Sequence, residues 1–445
     1  MTSSPAPTTP APTGFDACHP PRRDQLDTCV HCGFCLSNCP SYRVLGSEMD
    51  SPRGRVYLMD AIQSGRAELN ETAVSHFDSC LGCLACVSAC PSGVQYDQLI
   101  EATRGQVARN WQRPWPEQLL RRGLFALLPY PERLRPLLRL AQVGQKLGLQ
   151  RWLRSSGLTE ALPRPLAALE ALLPELDESS FRDPFPTVVP AQGDRRYRVG
   201  LLLGCVQRLF NPAVNEATVR VLTGNGCEVV IPPEAGCCGA VTHHQGEEEQ
   251  TRALARDLID RFAAHDLDAI LINASGCGHT LKLYGHLLAD DPDYATKAAA
   301  FAAKVKDVQE FLVEVGLTAP LQPLQDDSLA IVYQDACHMI HGQGIRQQPR
   351  DLLAQIPGVE LREPVDPGLC CGSAGVYNIL QSEVAEELGR MKAESLVNTG
   401  ATVVASANIG CYVQISRHLG LQGQPLPVLH PMQLLDRAMR GERLP

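Results

Sequence analysis

Eight of the chain's 18 cysteines fall into two copies of one spacing, Cys29-x2-Cys32-x2-Cys35-x3-Cys39 and Cys80-x2-Cys83-x2-Cys86-x3-Cys90, each followed by a proline, Pro40 or Pro91. Three thiols at two-residue gaps lie on one tight loop and can bond three irons of a cubane, while the fourth, held by its proline, points away toward the other loop. Structural zinc needs only four ligands in paired CxxC units and has no use for this longer run. The two copies therefore read as binding sites for two [4Fe–4S] clusters.

Eight more cysteines form a second pattern. Cys205, Cys237, Cys238 and Cys277 recur as Cys337, Cys370, Cys371 and Cys411, at offsets of 132 to 134 residues. The segments around them match too: RVGLLLGC with LAIVYQDAC, and the closing VKDVQEFL (305–312) with VLHPMQLL (428–435). An internal duplication of about 130 residues explains this most simply. Four thiols per copy can complete one metal site, and Gly239 and Gly372 let the backbone turn tightly beside each cysteine pair. Single buried thiols are common, but four at matching places in two copies point to iron–sulfur or zinc ligation. His279, His338 and His341, close to these cysteines, keep zinc open. Cys18 and Cys227 have no counterpart and read as ordinary thiols.

The first pattern resembles that of bacterial ferredoxins, in which the fourth cysteine of each run ligates the partner cluster. That resemblance implies one cluster on Cys29, Cys32, Cys35 and Cys90, and another on Cys80, Cys83, Cys86 and Cys39. The second pattern is similar to the cysteine-rich CCG domains of heterodisulfide reductases and of respiratory 2-hydroxyacid or glycerol-phosphate dehydrogenase subunits. The stretches HCGFCLSNCPSYRVLG, SPRGRVYL, CLGCLACVSACPSGVQY, EAGCCGAV, ASGCG, YGHLL, LCCGSAG and ANIGC occur in the order found in iron–sulfur subunits of glycolate oxidase (glycolate dehydrogenase). This resemblance extends from about residue 25 over nearly the whole chain. It implies an electron-transfer subunit without catalytic residues or flavin of its own. Electrons from glycolate oxidation at FAD-containing partner subunits would pass through it toward a quinone-type acceptor. It also implies that the chain is part of an oxidoreductase acting on CH–OH donors, not catalytic alone. Heterodisulfide reductase domains end in CxxC, whereas Thr280 and Gln414 stand three residues after Cys277 and Cys411 here. The missing fifth thiols count against a catalytic heterodisulfide-reducing role; an iron–sulfur subunit of a D-lactate or glycerol-3-phosphate dehydrogenase is the other alternative.

These cysteines need scaffolds of two kinds. Around 16–110 the loops call for a mainly helical ferredoxin module, with a turn at Ser51-Pro52-Arg53-Gly54-Arg55 leading into a helix. Arg53 and Arg55 could offset cluster charge or simply open a solvated helix. Beyond residue 195, apolar strands alternate with helical stretches such as 213–223 and 249–264, which implies βαβ units and mostly parallel sheets. Cysteines just after strand ends then gather at the carboxyl edge, where open α/β sheets bind ligands. The expected class is an α+β multidomain chain: ferredoxin module, basic helical linker at 111–195, and two duplicated α/β domains at 196–325 and 326–445.

Charge and composition narrow the partners. A net charge of −9 argues against nucleic acid. Residues 101–165 nevertheless carry 12 Arg or Lys and 4 Glu, in short broken helices suited to an acidic partner face, an anionic membrane surface, or plain solvation. Glu247-Glu248-Glu249 reads as a helix first turn, and His243-His244 as a surface pair. Gly224-Asn225-Gly226 and Gly342-Gln343-Gly344 lack the third glycine of a dinucleotide loop and read as turns. Residues 1–15 read as a disordered tail whose Pro/Thr/Ala start is no secretory signal, and no apolar run is long enough to span a membrane. The expected location is cytoplasmic, with a peripheral seat on the inner membrane face compatible with the basic segment.

Overall fold

A computed structural model describes residues 14–233 and 235–444. The tail expected at 1–15 lies outside the described residues up to residue 13, and Phe15 already packs against the helical core that follows. That core is built on α1 (Pro52–Gln63), α2 (Glu71–Asp78) and α3 (Tyr96–Asn110). Ser51 caps α1 by accepting from the Gly54 N–H at 3.1 Å, with Pro52 at the first helical position, where its missing N–H costs nothing. Asn70 caps α2 in the same way through the Ala73 N–H. Met59, Phe77, Leu99 and Ile100 fill the space between these helices and the two cysteine loops.

The basic segment is more regular than expected. It forms α4 (Trp115–Leu127) and α5 (Pro131–Lys146), the latter running through Pro136, followed by shorter helices up to Ala171. Much of its charge is met within the chain. Arg113 pairs with Asp78 and Glu117, Arg121 with Glu117, Arg135 with Asp183, Lys146 with Glu178, and Arg154 with Glu170. Carboxylates outside the segment, unseen in a local charge count, neutralise what looked like a free basic surface.

The remainder is a duplicated α/β unit. The first copy has a five-stranded sheet in the order β1-β3-β2-β4-β5: β1 (Val188–Val189), β2 (Tyr197–Leu202), β3 (Cys227–Val230), β4 (Ala269–Ile272) and β5 (Val305–Asp307). The second has the order β7-β6-β8-β9: β6 (Leu329–Gln334), β7 (Val359–Arg362), β8 (Val403–Ser406) and β9 (Val428–Leu429). All neighbours are parallel except β1, which pairs antiparallel on β3. Central strands β4, β6 and β8 are buried throughout, as expected for parallel strands covered on both faces, and their sequences are accordingly almost continuously apolar.

Each copy's last helix crosses to the other copy. Helix α6 (Pro212–Gly224) of the first copy packs against α10 (Pro431–Arg440), while α8 (Val308–Val315) packs against the helix Gln348–Leu353 of the second; α7 (Glu248–Ala263) packs within the first copy, and α9 (Ser382–Val397) packs within the second and also on the helices Pro40–Leu45 and Arg164–Ala171. The Arg220 guanidinium clamps Asp436 through Nε and Nη2, both at 2.9 Å from a carboxylate oxygen. One apolar core, including Val199, Leu271, Ile331 and Val404, is therefore common to both copies.

Candidate metal centres

The two cysteine loops wrap two adjacent cavities. One is lined by Cys29, Cys32, Cys35, Cys86 and Cys90, the other by Cys39, Cys80, Cys83 and Cys86. Each loop's last cysteine has thus crossed to the other loop's trio. The loops coil tightly because Gly33 and Gly82 take φ of +87° and +65°, and Gly82 directs its N–H at the Cys80 sulfur, 3.4 Å away. Tyr96 Oη donates to the same sulfur at 3.7 Å. Arg55 is fully buried behind the second cavity, donating to Ser41, Ser79 and the His76 carbonyl at 2.6–3.0 Å and facing Asp50 at 3.6 Å. Arg104 donates to the Cys80 carbonyl at 2.5 Å. Burial opposes ionisation of the Cys80 thiol, but the charges of Arg55 and Arg104 outweigh it and bring its pKa below the ordinary value. Arg53 lies nearer the surface, held by Glu48 and the His31 carbonyl, so the two arginines of one turn have separate roles.

In each duplicated unit the four thiols meet beyond the carboxyl ends of the strands. Cys205 and Cys237 lie 3.3 Å apart, and Cys238 contacts both Cys237 and Cys277. In the second unit Cys371 and Cys411 lie 3.0 Å apart, and Cys370 contacts Cys337 and Cys371. Gly239 and Gly372 have φ of +79° and +85°, and a β-carbon on Gly372 would collide with the Ala385 backbone. The electrostatics differ between the copies. Cys205 and its counterpart Cys337 are both pushed up by a neighbouring thiol and burial. At Cys237 the lowering contact from Cys205 is outweighed by the Cys238 contact and burial, which push it up, whereas contacts from Cys337 and Cys371 hold its counterpart Cys370 well down. The second unit also contains Lys392, wholly buried on α9, which donates to the Pro367 carbonyl at 3.1 Å and places its charge near Cys371 and Cys411. Thr280 and Gln414 are satisfied by neighbouring carbonyls and add no fifth thiol.

The second unit's thiols abut the second cavity of the helical module. Cys83 and Cys370 belong to one buried cluster with Cys337 packed against it. His338 Nε2 donates to the Gly82 carbonyl at 2.8 Å, and Tyr377 Oη donates to the Ser79 carbonyl at 3.0 Å.

Comparison with known proteins agrees with this architecture. Residues 25–94 match the 4Fe-4S dicluster domain, 116–173 the linker region of glycolate oxidase iron-sulfur subunits, and 199–282 and 331–416 the cysteine-rich CCG domain. The probable glycolate oxidase iron-sulfur subunit of Bacillus subtilis is 38% identical over 404 residues, 90% of each chain. The glycolate oxidase iron-sulfur subunit of Escherichia coli is 35% identical over 423 residues, 94% of this chain and 95% of that one. The chain belongs to the glycolate oxidase iron–sulfur subunit family. Lactate utilization protein A of Exiguobacterium is a more distant relative, 29% identical over 54% of this chain.

As a member of that family, the chain has iron–sulfur clusters as its cofactors, two of them [4Fe–4S] in the dicluster module. The donor sets fit: all 16 patterned cysteines are free thiols, grouped four or five to a site, with backbone N–H groups aimed at sulfur and buried cations close by. Two features escaped the sequence. Lys392 occupies the apolar stripe of Ala385, Leu388 and Leu396, and a lysine on that stripe is the signal that could have exposed it. His243 and His244, read as a surface pair, instead turn inward: His243 is buried and pairs with Glu101 of α3 at 2.8 Å. No local pattern could reveal a partner in another module.

Proposed function

We propose that this chain is the electron-transfer subunit of a glycolate oxidase, working with FAD-containing subunits that oxidise the 2-hydroxyacid and with a quinone-type acceptor. Cys29, Cys32, Cys35 and Cys90 hold one [4Fe–4S] cluster, and Cys80, Cys83, Cys86 and Cys39 the other. Cys205, Cys237, Cys238 and Cys277, and Cys337, Cys370, Cys371 and Cys411, hold the centres of the CCG units. Bound there, the clusters supply one-electron transfer between the partner flavin and the acceptor. The chain's own residues fix the sulfur positions, keep water out and balance charge through Arg55, Arg104 and Lys392.

The observation that carries this reading is that Cys83 and Cys370 belong to one buried cluster, so the dicluster and CCG sites adjoin across packed protein. Partner docking has support in the linker, where Trp115, Leu140 and Leu147 remain 72–79% exposed on helical surfaces. No helix among the described residues is long and apolar enough to cross a membrane.

The reading is tested by purifying the chain anaerobically with and without its flavoprotein partners. Glycolate-dependent dye reduction is expected only from the assembly, and turnover by the isolated chain would overturn the role. Iron near 16 per chain indicates clusters throughout, whereas about 8 iron with one or two zinc indicates zinc in the CCG units.

A further inference from the structure

Where the dicluster module, the first CCG unit and the second CCG unit meet, five side chains converge that the cysteine sites do not use. Glu101 comes from α3; His243 and His244 follow the Cys237-Cys238-Gly239 turn; His279 and His338 come from beyond Cys277 and Cys337. Ligand atoms of Glu101, His243 and His244 all lie within 4.8 Å of one another. The His338 ring lies over those of His244 and His279, with centroids 4.7 and 5.1 Å apart.

A buried ion pair explains only part of this. His243, 8% exposed, faces Glu101 at 2.8 Å, yet its Nε2 has no well-directed hydrogen bond. The Nε2 atoms of His244 and His279 are also shut off from solvent with no partner at all. A buried polar atom left unsatisfied is costly, so the orphaned nitrogens of His243 and His244 beside Glu101 call for a shared occupant.

We propose that Glu101, His243 and His244 bind one divalent transition-metal ion of the class that takes imidazole and carboxylate ligands, zinc or ferrous iron, separate from the cysteine centres. Two imidazoles and one carboxylate are a common donor set for these ions, with the remaining position left for one bound water or a neighbouring imidazole. Because Glu101 belongs to the dicluster module and the histidines to the first CCG unit, the ion clips the two modules together.

The test uses the full-length, cluster-replete chain, washed with chelator and quantified for iron and sulfide, then titrated with zinc. One equivalent should bind, and Glu101→Gln, His243→Asn or His244→Asn should each weaken it at least about tenfold with iron and sulfide unchanged. Anomalous scattering at the zinc edge from crystals of the unsubstituted chain should place a peak between the three side chains, which decides the matter even if a variant misfolds or loses its clusters. Zinc found only elsewhere in those crystals, no stoichiometric uptake, or equal affinity in all three well-folded variants would overturn the proposal.

Discussion

Arg55 and Asp50 show how one turn of sequence supplies charge to a thiol site. Both are buried; the guanidinium bonds two serines and a carbonyl, while Asp50 takes the Ser79 hydroxyl at 2.5 Å and His76 at 2.9 Å. Removing one member of such a pair leaves the other uncompensated. Arg55→Met should cost about 3–5 kcal/mol in chemical denaturation, and adding Asp50→Asn should recover part of that loss. Lys392 poses the opposite case, because its fully buried ammonium has no carboxylate at hydrogen-bond distance among the described residues; it donates to a carbonyl, with thiols and the Asp335 carboxylate nearby. Burial lowers its pKa, and its charge serves the chain only when anionic sulfur is nearby. Lys392→Met should therefore raise the stability of the cluster-free chain by about 1 kcal/mol or more while lowering the iron it retains after purification. Unfolding curves and iron analysis of the same preparations give both signs. The first copy carries apolar Leu258 and Ile259 in the corresponding stretch, so the two centres sit in unlike fields.

Duplication is most informative at the helix caps. Asp307 begins α8 after β5, and His430 begins α10 after β9; each closes a capping box with the residue three places on, Glu310 or Gln433. Burial raises the Asp307 pKa from 3.8 to about 7, whereas burial lowers that of His430 from 6.5 to about 4. An acid raised on folding contributes stability below its unfolded pKa and loses it as pH rises through the folded one. A base lowered on folding contributes above its unfolded pKa and loses it as pH falls through the folded one. Asp307 thus weakens the fold between about pH 4 and 7 on the way up, and His430 weakens it from about pH 6.5 to 4 on the way down, each by on the order of 3 kcal/mol. Because the two windows overlap, the opposed slopes largely cancel in the unsubstituted chain, and melting temperatures measured across pH 4–8 should gain a rising slope between about pH 4 and 6.5 in Asp307→Asn and a falling slope between about pH 4 and 7 in His430→Asn. A profile unchanged by both substitutions would assign the pH dependence to other groups. The sequence revealed the recurrence of these segments but not their burial. Cysteine grouping was legible because ligand spacing is local, and the parallel sheets because strands alternate with helices. Edge strand β1, the inward turn of His243 and the Asp78 carboxylate that meets Arg113 depend on contacts across modules, where residue order carries no signal.

Considered whole, the two CCG units behave as one body because each lends its last helix to the other. On α10, Asp436 takes the Arg220 clamp, and Met439 reaches Asn225 at the end of α6, whose side-chain oxygen accepts from the N–H groups of Thr318 and Ala319. That junction lies at the edge of a core shared by both sheets, so strain there is felt on both sides. Asp436 is buried and Arg220 is partly exposed, so Asp436→Ala removes a charge-assisted bidentate contact without stranding a buried cation, a loss of about 1.5–3 kcal/mol. If the units were independent, only the second would respond. Reciprocal packing instead predicts that amide exchange speeds up in β2 and β4 of the first unit as well as in β6 and β8 of the second, and that the two units keep a single, lowered unfolding transition. Faster exchange confined to β6–β9 would show that the helix exchange is contact without coupling, and that each repeat holds its thiols in place on its own.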